Sequence, residues 1–280
     1  MEINFSIKET VNKRSSVRTY KDQILSQEVK EDIKNFISSL ENPFGKTVNY
    51  HFLDHEKMKT QARLGTYGMI KGAEQYIGTS INLEPLALEA LGYEFEVLIL
   101  YLTSKNIGTC WLGGTFDRQA FAQAMGFGEN ELLPIITPYG YSADKKSIKE
   151  ASVRKLIKAD RRKSWSRLFF ENDFNNPLSK DQAGDLAFPL EMVRLGPSAS
   201  NKQPWRLVIK DKACHFFEYK TPGYSDKFPY DIQRIDLGIA ACHFDLAVKE
   251  KGMSGFFNYQ SQPDIALPEN MEYTFSWIRE

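Results

Sequence analysis

The 280-residue chain carries no charge surplus, because 36 Lys+Arg stand against 36 Asp+Glu. A nucleic-acid binder normally needs a basic excess to neutralise phosphates, and a polybasic membrane-surface protein needs one too, so neither kind of partner is expected. Cysteine is scarce. Cys110, Cys214 and Cys242 are an odd, widely spaced set with no C-x-x-C, which argues against a disulfide framework and a structural zinc site. His51, His55, His215 and His243 show no metal-ligand grouping, and His243 reads as a core residue. Long apolar runs are missing as well. The longest, Val97 to Leu102, falls far short of the roughly 20 residues of a transmembrane helix. Met1 to Thr10 holds Glu2, Lys8 and Glu9 and no apolar h-region, so no signal peptide is read there. The expectation is a cytoplasmic protein.

What is present points to a folded enzyme-sized unit. With 42% hydrophobic and 13% aromatic residues, the chain can bury a sizeable core. Its length suggests one large domain or two halves of about 140 residues. A small-molecule substrate is the partner class left open.

Periodicity divides the chain into elements. Ser26 starts an amphipathic helix with Val29, Ile33, Phe36, Ile37 and Leu40 on one face, stopped by Asn42-Pro43-Phe44-Gly45. Val48 to Leu53 reads as a strand. Pro85 opens a long, mostly apolar and therefore buried helix to about Asn106, with Gly108 as its stop. A polar helix is expected over Arg118 to Met125 and a buried strand over Pro134 to Tyr141. The charged stretch from Asp144 to Ser166 reads as a surface connector. A restart then follows: Leu178-Ser179-Lys180-Asp181 echoes Leu25-Ser26-Gln27-Glu28 and leads into a helix to about Leu195. Next come Gly196-Pro197, a strand from Trp205 to Lys210, and a second long helix from Leu237 to Lys251, stopped by Gly252. Each half runs helix, breaker, strand, spacer, buried helix, glycine, which suggests an internal duplication.

Three segments carry chemistry. Arg14-Ser15-Ser16-Val17-Arg18-Thr19-Tyr20 sets two guanidinium groups four residues apart with hydroxyls between them. Such a set matches phosphate oxygens, although alone it reads rather as a solvated, positively charged helix end. In Gly108-Thr109-Cys110-Trp111-Leu112-Gly113-Gly114, the glycines let backbone approach a flat ligand. Cys110 has no nearby histidine and reads as a buried, inert thiol, and Trp111 reads as core. Gly196-Pro197-Ser198-Ala199-Ser200-Asn201-Lys202-Gln203-Pro204-Trp205 offers many hydrogen-bonding groups between a helix and a strand, as an ordinary Ser/Asn turn also does.

Together these segments resemble the FMN-dependent nitroreductase family. Arg14 to Tyr20 matches its R-[RHS]-S-x-[RK]-x-[FY] segment, Pro197 to Trp205 its P-S-x-x-N-x-Q-P-W loop, and Gly108 to Gly114 its G-T-C-W-L-G-G turn. The order departs from the family. The P-S-x-x-N loop belongs soon after the arginine segment, where Leu40 to Gly45 stands instead. The second half ends its long helix with a degraded Gly252-Met253-Ser254-Gly255-Phe256-Phe257. Family members are intertwined homodimers with two FMN sites, each built from both subunits. The resemblance therefore implies a double-length, single-chain branch, a fused pseudo-dimer that keeps one site and has lost the other.

The fold class implied is α+β. Two nitroreductase-like halves, 1–165 and 166–280, each have a mostly antiparallel sheet with flanking helices. They form an intertwined pseudo-dimer with one composite flavin site between them. The resemblance puts Arg14, Ser15, Ser16 and Arg18 at the phosphate and polar edge of FMN. Pro197, Ser198, Ala199 and Asn201 line the ring from the other side, Leu112, Gly113 and Gly114 lie near N5, and Arg162 is a further phosphate ligand. It implies one FMN per chain, NAD(P)H as donor, and ping-pong two-electron reduction of a nitroaromatic or quinone-like acceptor through flavin N5. No catalytic side chain and no metal are assigned. A monomer is expected, with a higher oligomer left open. Another flavin reaction of the same fold, or an FMN-binding protein without useful catalysis, remain as alternatives.

Overall fold

A computed structural model describes residues 3–54, 64–128, 131–144 and 161–280. The expected connector falls largely on 145–160, and His55 on 55–63, so both lie outside the described residues. Helix α1 (Ile7–Lys13) starts at Ser6, whose hydroxyl accepts the Glu9 N–H. Helix α2 (Gln27–Ser38) starts where the sequence places it, with Ser26 Oγ accepting the Val29 N–H. Then follow β1 (Asn49–Leu53), β2 (Tyr76–Ser80), α3 (Ala87–Ser104), β3 (Gly108–Thr109), α4 (Arg118–Met125) and β4 (Ile136–Gly140). The later part holds β5 (Phe169–Glu171), α5 (Ala187–Leu195), β6 (Trp205–Lys210), β7 (Ala213–Tyr219), α6 (Gln233–Glu250), β8 (Gly255–Asn258) and β9 (Met271–Arg279).

The class is α+β, with two sheets and six α-helices among the described residues. The first sheet runs β1-β2-β4-β3 and is antiparallel throughout. The second runs β5-β6-β7-β9-β8, with β5 parallel to β6 and the other neighbours antiparallel. No described helix is long and apolar enough to cross a membrane.

Three boundaries differ from the sequence reading. The residues after Ser179 form turns, and the helix starts only at Ala187. α6 starts at Gln233, ahead of Leu237, because Arg234 and Asp236 find partners inside the protein that periodicity cannot foresee. After α3, Asn106 takes the left-handed conformation, while Gly108 joins β3 opposite Gly140.

α3 and α6 are the paired centre of the molecule. Both are 18 residues long and almost wholly buried. A Cβ on Gly92 of α3 would overlap the Ile235 carbonyl oxygen, and one on Gly238 of α6 would overlap that of Glu89. Only glycine permits this approach. The contact is reciprocal: the offset that carries Ala87 to Gln233 and Ser104 to Glu250 also carries Gly92 to Gly238 and Glu89 to Ile235. The N-terminus crosses over too. Ile7 and Val11 of α1 pack in one core with Leu237, Phe244 and Leu246, and the Ile7 N–H donates to Glu250 Oε2 at 2.6 Å.

Candidate functional site

A cavity opens beside the N-terminal half of α6. One wall comes from the early part of the chain. Val17 N–H donates to Thr109 O at 2.8 Å and Ser16 bridges Thr109, so the arginine segment is stitched to β3 and the turn after it. This wall presents Ser16, Arg18, Trp111 and Gly113. A Cβ on Gly113 would sit 2.9 Å from Ile232 Cδ1 and 3.0 Å from Ile135 Cδ1, so glycine brings the backbone against the apolar floor. Arg118 braces the turn by donating to Gly113 O at 2.6 Å and to Pro134 O at 3.0 Å.

The opposite wall is the Pro197–Ser200 part of the long loop, with Ile235, Asp236 and Ile239 of α6 beneath it. The loop is heavily braced. Ser198 Oγ accepts the Gln203 N–H at 2.8 Å, Asp236 Oδ1 accepts the Ala199 N–H at 3.0 Å, and Asn201 Nδ2 donates to Arg161 O at 2.9 Å. Ser200, Asn201 and Gln203 hold positive φ angles of 48°, 55° and 48°. Three non-glycine residues in that region make a strained loop, held by its surroundings.

Electrostatics distinguish two pocket residues. Arg18 is only 8% exposed, and its Nε and Nη1 have no hydrogen-bond partner in the protein. A buried guanidinium with unused donors calls for an anion or a carbonyl-rich ligand. Burial holds the Asp236 carboxyl well above the usual carboxylate range; the Ala199 N–H opposes this and Asp231 adds to it.

Six of the twelve sequence-predicted site residues, Ser16, Arg18, Gly113, Pro197, Ser198 and Ala199, line the cavity. Arg14 ends α1 just ahead of it, half-buried, and Ser15 beside it is exposed. Leu112 is buried in a neighbouring core and pairs with Ile136, and Gly114 is exposed beyond the turn. Asn201 and Arg162 form the outer brace, with Arg162 donating to Leu195 O at 3.2 Å and to Asn201 Oδ1 at 3.4 Å. Cys110 is buried in the same core as Leu112.

Trp111 packs against the α3 core, in keeping with the sequence reading, and also lines the cavity, its indole N–H donating to Glu96. Asp236 and the isoleucines of α6 were not anticipated. The available signal was an acid, Asp236, set among Ile232, Ile235 and Ile239 at helical spacing.

Comparison with known proteins bears on the family and the fold. The family described as "Putative TM nitroreductase" matches residues 6–248. No curated protein matches the sequence. Among solved structures, the chain is similar to a protein from Thermotoga maritima described as a "putative nitroreductase", at 18% identity and a TM-score of 0.64, over 99% of this chain and 95% of that one. That likeness shows the fold. It is also similar to a nitroreductase with bound FMN from Bacteroides fragilis, at 19% identity and a TM-score of 0.42, over 52% of this chain and 94% of that one. An NADH dehydrogenase/NAD(P)H nitroreductase from Parabacteroides distasonis gives 17%, 0.43, 50% and 89% respectively.

Proposed function

The chain belongs to this nitroreductase family, and on that premise we propose that it is an FMN-dependent NAD(P)H oxidoreductase. Its substrate is a small nitroaromatic or quinone-like acceptor, reduced by two electrons in a ping-pong cycle. The observation that carries the reading is Arg18, a buried cation with unused donors on the wall of a cavity whose other wall is the Pro197–Ser200 loop. These residues fit a flat, anionic cofactor. Arg18, Arg14, Ser15 and Ser16 hold its phosphate and polar edge, with Arg162 further out. Leu112, Gly113 and Gly114 supply close backbone on one side; Pro197, Ser198, Ala199 and Asn201 supply the other.

When bound, FMN supplies hydride transfer between NAD(P)H and the acceptor. The protein's part is orientation, since the braced loop and the Arg118-held turn keep both walls fixed. The apolar floor of Ile135, Ile232 and Ile235 excludes water.

Residues 1–165 and 166–280 are read as two fused halves, making the chain a monomeric, cytoplasmic pseudo-dimer with one FMN. The reciprocal Gly92–Gly238 crossing supports this, since a two-fold interface places the same contact twice. The test is the purified full chain. It is expected to be yellow, to hold one FMN, and to reduce 4-nitrobenzoate with NADH or NADPH. Failure to take up FMN on reconstitution refutes the reading; FMN bound but reduced by neither nucleotide leaves a flavin-binding protein without this activity.

A further inference from the structure

Trp111, Glu96 and His243 form a buried chain that joins the two walls of the cavity. The Trp111 indole N–H donates to Glu96 Oε2 at 2.8 Å. Glu96 Oε1 lies 2.9 Å from His243 Nε2, and His243 Nδ1 lies 2.9 Å from Met192 O. A carbonyl only accepts, so Nδ1 carries a proton, and a second proton lies between Nε2 and Oε1. Glu96 and His243 are fully buried. Met192 belongs to α5, the helix that runs directly into the Pro197 loop. One end of the chain is therefore a cavity-lining ring, and the other is the helix that delivers the opposite wall.

Buried polar groups of this kind cost free energy unless every bond is made, so they tolerate one arrangement and reject others. Here the arrangement is that of Trp111. Its indole nitrogen is held by Glu96, and its ring meets Phe95 edge-on at 4.8 Å and 77°. A half-buried tryptophan held on two sides presents a rigid aromatic surface to the cavity, and aromatic surfaces favour flat partners. A purely structural tryptophan would not need to line the cavity.

We propose that Glu96 and His243 are positioning residues that fix Trp111 as the aromatic wall of the cavity, and that Trp111 selects planar aromatic acceptors. The second part rests on the flavin reading above; the first does not.

The two parts are tested separately. In the apo-protein labelled with ¹⁵N-tryptophan, the Trp111 indole signal is identified by its absence from Trp111→Phe. It is expected to exchange slowly in the native chain, since its N–H is bonded to Glu96. Glu96→Gln keeps a weaker, uncharged version of the chain, and Glu96→Ala breaks it. Indole exchange is expected to quicken about tenfold in Glu96→Gln and further in Glu96→Ala. If Glu96→Ala does not fold, Glu96→Gln alone decides. An unmoved indole signal there overturns the positioning role.

In the FMN-loaded protein, Trp111→Leu should raise KM for 4-nitrobenzoate about tenfold more than KM for ferricyanide. Glu96→Gln should shift that preference the same way by about threefold. Equal changes for the two acceptors overturn the selecting role. A native chain that takes up no FMN refutes the functional reading, and the selecting role with it. The indole signal still decides the positioning role in that case.

Discussion

α3 and α6 present corresponding faces to very different surroundings. On α6, Ile232, Ile235, Asp236 and Ile239 border an open cavity. The same offset on α3 gives Leu86, Glu89, Ala90 and Tyr93. There Ala90 and Tyr93 are buried in the main core, and Phe44 fills the space. The Phe44 ring centre lies 5.0 Å from Phe275, 5.7 Å from Phe257 and 6.5 Å from Tyr93. Phe44 sits in the Asn42–Gly45 breaker. The two helices thus meet through a reciprocal contact, yet one borders a cavity and the other a filled core.

Polarity follows the cavity. Arg234 of α6 pairs with Glu89 and lies 3.2 Å from Glu272 and 3.8 Å from Glu218, whereas the matching α3 position is Leu88. Glu218 is fully buried, and burial pushes its carboxyl up to about 8; Asp231 adds to this, and Arg234 and Lys220 oppose it. The folded state therefore keeps a proton that the unfolded chain releases near 4.5. Stability from this group is complete below that pH and is lost as pH rises through about 8. Glu218→Gln removes the dependence. Between pH 5 and pH 9 its unfolding free energy in urea should gain about 4 kcal/mol relative to the native chain. Parallel pH profiles would show that the polar side of the comparison carries no such penalty.

Phe44→Ala examines the filled side. Removing a fully buried ring should cost about 3–4 kcal/mol, read as a lower urea midpoint at unchanged slope. The hole is walled by aromatic carbon and offers no buried guanidinium, so the chain should still hold one FMN. A second equivalent would mean that Phe44 alone closed the other site.

The sequence made much of this legible where an element announces itself locally. α4 and β6 have the bounds that patterning assigns, since a capping Asp117 and a Pro204 breaker mark them. The arginine segment and the polar loop were found because their residue types are unusual at that spacing. Long-range pairing was not legible. Nothing near Trp111 reveals that Glu96 will meet its indole nitrogen, and nothing near Asp236 reveals the Ala199 N–H. Arg234 falls ahead of the helix start read from the sequence, because its partner, Glu89, lies on α3.

The sharpest division between the two regions lies in their arginines. Like Arg14-Ser15-Ser16-Val17-Arg18, the segment Lys163-Ser164-Trp165-Ser166-Arg167, just ahead of β5, sets two cations four residues apart. Arg18 is buried with Nε and Nη1 unused, whereas Arg167 is exposed. A desolvated guanidinium facing an anionic or carbonyl-rich ligand makes strong, directed bonds, whereas an exposed one is screened. Arg18→Ala should therefore weaken FMN binding about a hundredfold, or about 2.7 kcal/mol, while Arg167→Ala should change it by less than about twofold. Flavin fluorescence titration gives both constants. The loss in Arg18→Ala should also shrink in high salt less than a surface contact would, since the site is shielded. Equal losses in the two variants would mean that both arginine segments still serve a ligand, and the filled region would have to be read as a second, closed site.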